Sequence, residues 1–411
     1  MSDNTDTNTT EAPTRRDYVT YGGAVIGGGL LAGCSGGDPS STTSGATTAD
    51  ETESTTTSET SSQSGQSYSV AMAPMGEVSF DSVPEAVYTG LPNTADMAIA
   101  AGKADAINSI YFPEYHGTLL NHFYERLDGV SLDWKNLEDT WGLGKEGFYE
   151  LDSDVHLTDP AYATTLDSLD QADIEEIREQ IAPWFGNYYS NTHSTPPTQW
   201  ADGYQYYSLW EIFEKVAEVF QAKEHYQALY EERQQLLSTV EEKRPPKDEQ
   251  PTVALTFPVE DHVGVFHLNA PGFLAANTRP LGAVDAFADM DFERNAQVDM
   301  EAMAEADPDV VLALFRLSSS YSIAETKERF RDDPVGQTIS AAKNDRIYAQ
   351  GVRYQGPIVN LFQTEMTAKQ LYPEQLGEWP GYVDGEDYPE IPESEQLFDR
   401  ERVADIVNGE I

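Results

Sequence analysis

The sequence predicts an α/β fold in which two lobes are joined by one long α-helix. Strands alternate with helices before residue 206 and again after residue 246, which is the order of parallel βα units. Between these regions, residues 207–245 carry apolar side chains at spacings of three and four, the period of an amphipathic helix. The body of about 340 residues is too long for one ordinary core, so we expect two separately packed halves.

The first lobe, predicted over residues 77–206, begins with a βα unit. EAVYTG is a strand that enters a turn, and Asn93 or Thr94 is predicted to cap the following helix, which Gly102 ends. DAINSIYF supplies a second strand and SDVHLTD a third, with the short helix KEGFYEL before it. This alternation predicts a parallel sheet with helices between its strands.

The long helix is predicted to end at Arg244, because two prolines follow and proline cannot continue a helix. The second lobe, residues 246–375, starts with the strand PTVALTF, and GVFHL is a further candidate strand. DMEAMAEADPDVVLALF predicts a helix that leads into a buried strand, and KNDRIYAQG predicts a turn and a strand. GPIVNLFQTEMTAKQLY is the closing helix, and residues 376–411 form an acidic C-terminal tail with a short helix.

Residues 1–34 have the features of an export signal. Their apolar part is rich in glycine and too short for a bilayer, which needs about 20 apolar residues. Arg15 and Arg16 precede it as in twin-arginine signals, and LAGC follows as in a lipobox, so Cys34 is predicted to carry a lipid. Residues 35–76 are mainly Ser, Thr, Gly and acidic residues, which predicts a disordered tether. The expected location is the outer face of the cell membrane.

The chain carries 71 acidic and 25 basic residues, a formal net charge of −46 that is spread over its whole length. Such a charge suits molar salt, where screening acts within about 3 Å, so a halophilic source is the economical interpretation. It argues against a nucleic-acid partner, because phosphate binding needs a basic face. The nucleophile-elbow, phosphate-loop and HExxH motifs do not occur in the sequence, so we expect no enzyme activity.

The order of the elements, together with local motifs, resembles the substrate-binding proteins of iron–siderophore and cobalamin ABC importers. GFYELDSDVHLTD lies where that family has a helix and strand in its first lobe, although the usual Lys-Pro is missing. VDMEAMAEADPDVVLAL is the same unit in the second lobe, while DDPVGQTISAAKNDRIYAQGVRYQGP and AKQLYPE resemble the cleft-facing loop and closing helix. The resemblance runs from about Val78 to Glu374. It implies two Rossmann-like lobes joined by one long rigid helix, with the ligand cleft between the lobes.

The resemblance implies a function that agrees with the predicted export signal. We expect an extracytoplasmic, lipid-anchored receptor that captures an iron(III)–siderophore chelate of hydroxamate-like type and delivers it to an ABC permease and its ATPase. The iron is expected only as part of the chelate, so no cofactor or resident metal is implied, and we expect a monomer. Receptors of the same architecture for cobalamin, haem or free metal stay open. A membrane-anchored enzyme or partner subunit on this scaffold is the other alternative.

The candidate ligand site is taken from the loops at the strand ends, where open α/β sheets bind their ligands. Most of its residues are aromatic, and two are arginines: Asn93, Tyr111, Tyr115, His116, Trp141, Tyr162, Phe257, His267, Asn269, Arg316, Tyr321, Arg353 and Tyr354. Aromatic faces can cover a chelate, and arginine donates to its oxygens in fixed directions. Arg353 and Tyr354 lie in the stretch whose counterpart faces the ligand in the family.

Several candidates also have a purely structural interpretation. Tyrosines in YFPEY or NYYS are equally explained as half-buried rings whose hydroxyls reach the surface. Arg316 could hydrogen-bond within its own lobe, and His267, at the end of an apolar strand, is typical of a packed histidine. The pairs His116/His122 and His262/His267 lack the i, i+4 spacing that places two metal ligands on one helix face.

The resemblance also implies two glutamates that contact the permease. In the family each lobe presents an acidic residue to arginines of the permease, and the matching positions are Glu146 and Glu301. Each opens the short helix that precedes a strand. In so acidic a chain, both are equally explained as solvated charges at helix N-termini, where negative charge is favourable.

Overall fold

A β-hairpin begins the part of the chain that the structure describes. The computed structural model describes residues 67–318 and 320–411, so the predicted signal, Cys34 and residues 35–66 lie outside it. Strand β1 (Tyr68–Met72) pairs antiparallel with β2 (Gly76–Phe80), and Val70 and Met72 are buried. The tether predicted up to residue 76 is therefore wrong at its C-terminal end, because alternate side chains of β1 pack into the core.

The first lobe contains a parallel sheet in the order β5-β4-β3-β6. Its strands are β3 (Val87–Thr89), β4 (Ile107–Ile110), β5 (Glu138–Asp139) and β6 (Val155–Leu157). Its α-helices are α1 (Pro92–Ala100), α2 (Pro113–Tyr124), α3 (Lys145–Leu151), α4 (Pro160–Ala163), α5 (Gln171–Gln180) and α6 (Thr198–Ala201). The three predicted strands are confirmed. The predicted cap of α1 is wrong: the helix starts at Pro92, whose fixed φ suits a first turn, and Asn93 and Thr94 lie inside it.

The region between the lobes holds two helices where the sequence predicts one. They are α7 (Leu209–Val219) and α8 (Lys223–Lys243). Gln221 adopts a left-handed backbone and donates its N–H to Glu218, while the N–H of Ala222 reaches Ala217, which is a Schellman turn. Phe220 and Ala222 are buried, so the apolar spacing continues through the break and does not reveal it.

The second lobe contains a mixed sheet in the order β10-β8-β7-β11-β12, with β9 beside β7. Its strands are β7 (Thr252–Pro258), β8 (Val263–Phe266), β9 (Val284–Asp285), β10 (Asn295–Val298), β11 (Val310–Ala313) and β12 (Ile347–Ala349). Its α-helices are α9 (Met300–Ala306), α10 (Ile323–Asp332), α11 (Ser340–Lys343), α12 (Pro357–Leu371) and α13 (Pro373–Leu376). Strands β7, β11 and β12 run parallel, while β8 and β10 pair antiparallel. The fold is therefore α/β with two lobes, as predicted.

The lobes meet through α1 and α12, and we call this the helix contact. Every residue of both helices is buried. Most of the buried apolar side chains of the two lobes form one continuous cluster, and a smaller separate cluster lies within the first lobe, so the expectation of separately packed halves is wrong. The physical reason lies in α1, where Ala95, Ala98 and Ala100 leave room for α12 to pack closely.

A buried carboxylate lies at the centre of the helix contact. Asp96 of α1 accepts a hydrogen bond from the Tyr124 hydroxyl at 2.6 Å and from the Val359 N–H of α12 at 3.1 Å. Gly356 permits this approach, because a Cβ atom there would lie 2.5 Å from an Asp96 oxygen. Burial raises the pKa of Asp96 to about 7. The main polar group of this contact is thus satisfied within the protein.

Residues 377–411, which we call the C-terminal segment, pack against the rest of the protein. The segment contains α14 (Arg400–Asn408), in agreement with the predicted short helix. Tyr388, Phe398 and Val403 are buried, and Arg400 forms an ion pair of 2.8 Å with Glu365 of α12. The acidic composition therefore conceals a segment that belongs to the folded body.

Candidate functional site

Loops at the carboxyl ends of the strands carry most of the predicted site. In the first lobe Tyr111 follows β4 directly, while Asn93 and Tyr162 lie in the first turns of α1 and α4, the helices that follow β3 and β6. In the second lobe the loops after β11 and β12 carry Arg316 and Arg353. This is the edge at which open α/β sheets bind ligands.

Three tyrosines form a stack that crosses between the lobes, and we call it the tyrosine contact. The rings of Tyr162 and Tyr188 in the first lobe stack with centroids 4.0 Å apart. The Tyr188 ring is nearly parallel to that of Tyr354 in the second lobe, at 6.1 Å, and the two hydroxyl oxygens are 3.0 Å apart. The Asn191 amide also donates a long hydrogen bond of 3.4 Å to the Tyr354 hydroxyl. The lobes meet here through hydroxyls and ring faces.

A buried aspartate fixes the first-lobe side of the tyrosine contact. Asp159 follows β6 and caps α4, which carries Tyr162, by accepting from the Ala161 N–H at 2.8 Å. Its other oxygen accepts from the Tyr188 N–H at 2.7 Å and from the Tyr204 hydroxyl at 2.5 Å. Burial raises the pKa of Asp159 to about 6. One carboxylate thus orients two of the three stacked tyrosines.

Arg353, next to Tyr354, is a buried cation with an unsatisfied donor. It is 8% exposed, and its guanidinium lies 3.9 Å from the centroid of the Phe266 ring. Its Nε atom is buried and has no hydrogen-bond partner among the described residues. Burial lowers the pKa of Arg353 to about 10, and the positive charge of Arg294 acts in the same direction. Two arginines thus make this part of a strongly acidic chain cationic.

Arg316 is hydrogen-bonded within its own lobe, as its structural interpretation expected. Its Nε donates to Thr326 Oγ1 at 2.6 Å, and its Nη1 donates to the Leu314 carbonyl at 3.3 Å. Its guanidinium lies 5.2 Å from the centroid of the Tyr321 ring. Burial lowers the pKa of Arg316 to about 10, an effect that the phenols of Tyr321 and first-lobe Tyr115 oppose. Arg316 is therefore fixed by the second lobe and lies close to the first.

A second aromatic group lies after β4 in the first lobe. The Tyr111 ring is 4.2 Å from Phe112, 5.4 Å from His116 and 5.7 Å from Trp141. Tyr115 meets His116 edge-on at 5.0 Å. His116 Nδ1 bonds to the Tyr111 carbonyl, and burial lowers the pKa of His116 to about 4, so the imidazole is neutral at pH 7. Trp141, which is 53% exposed, covers this group from the solvent side.

Two predicted residues of the second lobe are bound to their own lobe. His267 Nδ1 is 3.1 Å from Asp285 Oδ2, and its ring stacks on Phe292 at 3.9 Å. Asn269 donates to the Ala283 carbonyl at 2.9 Å. These contacts agree with the interpretation of His267 as a packed histidine.

Two further predicted residues also take part in packing. Asn93 is buried at the helix contact, where its backbone oxygen lies against Gly356. Phe257 is half-buried and its ring is 4.6 Å from that of Phe266. Phe266 is the ring over which Arg353 lies, so Phe257 supports the site from behind rather than forming its wall.

The two glutamates predicted to contact the permease are both exposed. Glu146 lies in the first turn of α3 and Glu301 in the first turn of α9, one in each lobe. Their positions suit either interpretation, docking or a solvated charge at a helix N-terminus.

Sequence reasoning missed Tyr188, Asp159 and Arg294. Tyr188 lies in the stretch NYYS, where the structural interpretation left it at the surface, and it is in fact the central ring of the tyrosine contact. Arg294 donates to Ser194 Oγ at 3.4 Å and follows an acidic turn that gives no signal. The one available signal was Asp159, which immediately precedes a proline at the end of β6, a typical helix cap.

A family model matches part of the chain. It is described as "periplasmic binding protein" and covers residues 154–353, just under half of the chain, a stretch that includes Tyr188, Arg316 and Arg353. Proteins of that family bind solutes for transporters outside the cytoplasm and are not enzymes. No curated protein sequence is significantly similar to this chain.

Solved structures of periplasmic binding proteins share the fold of this protein at low sequence identity. A periplasmic binding protein from Veillonella parvula is 16% identical, with a TM-score of 0.53 over 75% of this chain and 92% of that one. The iron uptake ABC transporter substrate-binding protein PiuA from Streptococcus pneumoniae is 16% identical, with a TM-score of 0.50 over 75% and 98%. The periplasmic haem binding protein HutB of Vibrio cholerae is 16% identical, with a TM-score of 0.50 over 70% and 100%.

Neither a metal cluster nor a membrane span is found in the described ranges 67–318 and 320–411 of this protein. No three His, Cys, Asp or Glu side chains are grouped there so as to hold a metal ion. No helix there combines the length and the apolar character needed to cross a membrane.

Proposed function

We propose that this periplasmic binding protein captures an iron(III)–siderophore chelate, of the hydroxamate-like type, at the tyrosine contact and delivers it to an ABC permease and its ATPase. PiuA is an iron uptake protein and HutB a haem binding protein, which favours an iron-containing ligand, although those likenesses carry the fold alone. A ferric chelate presents an apolar periphery and a set of oxygens around the metal. That surface needs ring faces and fixed donors from the protein.

The observation that carries the proposal is the buried Nε of Arg353, which has no hydrogen-bond partner among the described residues and lies beside the stacked tyrosines. Leaving a buried donor without a partner costs about 1 to 3 kcal/mol, and a ligand oxygen at this position would recover that cost. The oxygens of a chelate would accept from Arg353, while the rings of Tyr188 and Tyr354 would separate and cover its periphery. The protein would then hold the chelate without coordinating the iron, so no resident cofactor is required.

A titration of the full chain in molar salt tests this function. The ligands are a ferric trihydroxamate, a ferric tricatecholate, haem, cobalamin and free Fe³⁺, Zn²⁺ or Mn²⁺, and the readout is quenching of tryptophan fluorescence. We expect saturable quenching by a ferric chelate, since Trp141 adjoins Tyr111 and Phe112. If only haem, cobalamin or a free metal binds, that compound and not the siderophore is the ligand. No response to any of them would contradict the proposal.

Delivery to the permease is proposed to use Glu146 and Glu301, with the chain exported by the twin-arginine route, anchored by a lipid on Cys34 and working as a monomer. The charge reversals Glu146→Lys and Glu301→Lys, made together, should abolish cellular uptake of the chelate and leave its affinity for the purified protein unchanged. Glu150→Lys, at an exposed position of the same helix α3, is the matched control. Normal uptake by the double variant would contradict the docking role.

A further inference from the structure

The C-terminal segment sends one acidic side chain to the second lobe, at the start of α10. Asp384 accepts hydrogen bonds from Ser322 Oγ at 2.5 Å, from the Ile323 N–H at 2.8 Å and from the Ala324 N–H at 3.1 Å. The first N–H groups of a helix have no partner inside the helix, so this carboxylate supplies acceptors that the local chain does not. The first turn of α10 is therefore held from outside.

That turn is the one against which Arg316 is fixed. Arg316 Nε donates to Thr326 Oγ1 at 2.6 Å, and the same hydroxyl donates to the Ser322 carbonyl at 2.9 Å. Tyr321, whose ring lies under the Arg316 guanidinium, directly precedes Ser322. Movement of this turn would displace both side chains, so the position of Arg316 depends on Asp384 through the start of α10.

Four residues later, the same segment is fixed to the first lobe. Tyr388 is fully buried, with its ring 5.3 Å from Phe123 and 6.0 Å from His122, both of which belong to α2. Its carbonyl accepts a hydrogen bond from Arg126 Nε at 2.8 Å, just beyond the end of α2. Tyr115 lies in the first turn of this same helix. One end of α2 therefore carries a candidate ligand residue, while the other is held by the C-terminal segment.

The rest of the C-terminal segment is also anchored, so Asp384 and Tyr388 have little freedom to shift. Glu365 of α12 accepts from the Leu397 N–H at 2.5 Å as well as from Arg400. The Asp399 N–H donates to Glu232 of α8 at 3.2 Å, and the Asn408 side chain donates to the Asp128 carbonyl of the first lobe at 2.9 Å. The segment thus contacts both lobes and the long helix.

From these contacts we infer that Asp384 and Tyr388 form a bridge that sets the position of the Arg316–Tyr321 loop relative to α2. They are positioning residues for the ligand site, and they act through α10 and α2 without touching the ligand. The inference rests on the proposed function in one respect, since it takes the Arg316–Tyr321 loop to contact the chelate. Its structural part, the ordering of one loop by a distant segment, holds for any ligand.

Hydrogen exchange of the full chain without ligand tests the structural part. Asp384→Ala should speed exchange of the amides at Ile323, Ala324 and the loop 314–318 at least tenfold, while the exposed control Glu386→Ala, which removes the same charge from the same segment, should leave it unchanged. Asp384→Asn should restore slow exchange in part, because its amide oxygen still accepts from the Ile323 N–H. Unchanged exchange in Asp384→Ala would overturn the bridge.

Titration with the ferric trihydroxamate ferrioxamine B tests the positioning role. Asp384→Ala should weaken binding about tenfold without a matching drop in melting temperature, Asp384→Asn should lie between it and the wild type, and Glu386→Ala should bind normally. If Asp384→Ala exchanges faster but binds ferrioxamine B with unchanged affinity, the positioning role of Asp384 in the ligand site is overturned. If the wild type does not bind ferrioxamine B, the proposed ligand fails, and the exchange comparison alone supports or overturns the bridge.

Discussion

The helix contact and the tyrosine contact join the same two lobes with different chemistry. In the helix contact, α1 and α12 are buried along their whole length, and Asp96 finds its hydrogen-bond partners inside the protein. In the tyrosine contact, the lobes touch through facing rings, a pair of hydroxyls and one long hydrogen bond from Asn191, and Arg353 beside it keeps a buried donor without a partner among the described residues. The buried charge of the first contact, Asp96, is hydrogen-bonded within the protein, whereas the Nε of Arg353 beside the second is not. We therefore expect stability to depend on the first and binding on the second.

The largest expected effect comes from breaking the helix contact. Asp96→Ala removes the acceptor of the Tyr124 hydroxyl and the Val359 N–H, and we expect a loss of about 3 kcal/mol in the free energy of unfolding. Asp96→Asn, which keeps one acceptor, should lose less. Urea unfolding at fixed high salt measures both. Equal stability of Asp96→Ala and the wild type would show that this contact does not hold the lobes together.

The next largest effect is expected at the tyrosine contact, where a substitution should reduce ligand affinity but not stability. Arg353→Met should weaken chelate binding about 100-fold, roughly 2.7 kcal/mol, because it removes a buried donor to the ligand. Stability should stay the same or rise, since methionine removes a buried charge whose Nε has no hydrogen-bond partner among the described residues. Fluorescence titration and thermal unfolding of the same samples measure the two quantities. The control is Arg346→Met, at the other end of β12, whose guanidinium bonds to the Gln370 and Leu371 carbonyls. It should lose stability and keep its affinity.

The dependence of stability on pH sharpens the comparison further. Burial raises the pKa of Asp96 to about 7, so the folded protein holds this proton more tightly than the unfolded chain does. The stabilisation from this group is complete below about pH 4 and is lost as the pH rises through 7. Buried histidines such as His116 act in the opposite direction, so the difference between the wild type and Asp96→Asn is the informative quantity.

Relative to Asp96→Asn, the wild type should lose about 2 kcal/mol of its free energy of unfolding as the pH rises from 5 to 8. Urea unfolding at the two pH values, at constant ionic strength, measures it. A difference that stays constant would mean that Asp96 has an ordinary pKa in the folded protein.

The smallest effect expected concerns the hydroxyls of the tyrosine contact. Tyr188→Phe keeps the ring stack and removes one hydroxyl, which we expect to weaken chelate binding about fivefold, close to 1 kcal/mol. Tyr149→Phe, which removes an exposed hydroxyl bonded to Glu176, is the control and should bind normally. An unchanged affinity of Tyr188→Phe would limit the role of this residue to ring packing.

Local patterns predicted the strands β3, β4, β6, β7, β8, β11 and β12 and the helices α1, α3, α9, α12 and α14, because periodicity and flanking turns act within a few residues. They failed where a tertiary contact decides. The break at Gln221 falls in a residue type that rarely marks a turn, within an uninterrupted apolar spacing. Strand β1 was assigned to the tether because its alternating Val70 and Met72 follow a long polar stretch. The burial of Tyr388 is hidden by the acidic residues around it.

The site was predictable in kind but only partly in detail. The resemblance singled out Arg353 and Tyr354, and the structure shows Tyr354 within the tyrosine contact; composition suggested an aromatic, cationic site. It could not show that Tyr188, from a loop far along the chain, is the ring that meets Tyr354, since that pairing depends on how the lobes sit. It also could not separate Arg316, which its own lobe satisfies, from Arg353, which is left unsatisfied.

A crystal structure of the protein with a ferric trihydroxamate bound would test most directly whether the tyrosine contact is the ligand site. We predict that the chelate lies between Tyr188 and Tyr354, that the hydroxyl–hydroxyl bond between them is replaced by bonds to the ligand, and that a chelate oxygen accepts from Arg353. A chelate bound elsewhere, with the bond between Tyr188 and Tyr354 intact and Arg353 still without an acceptor, would contradict it.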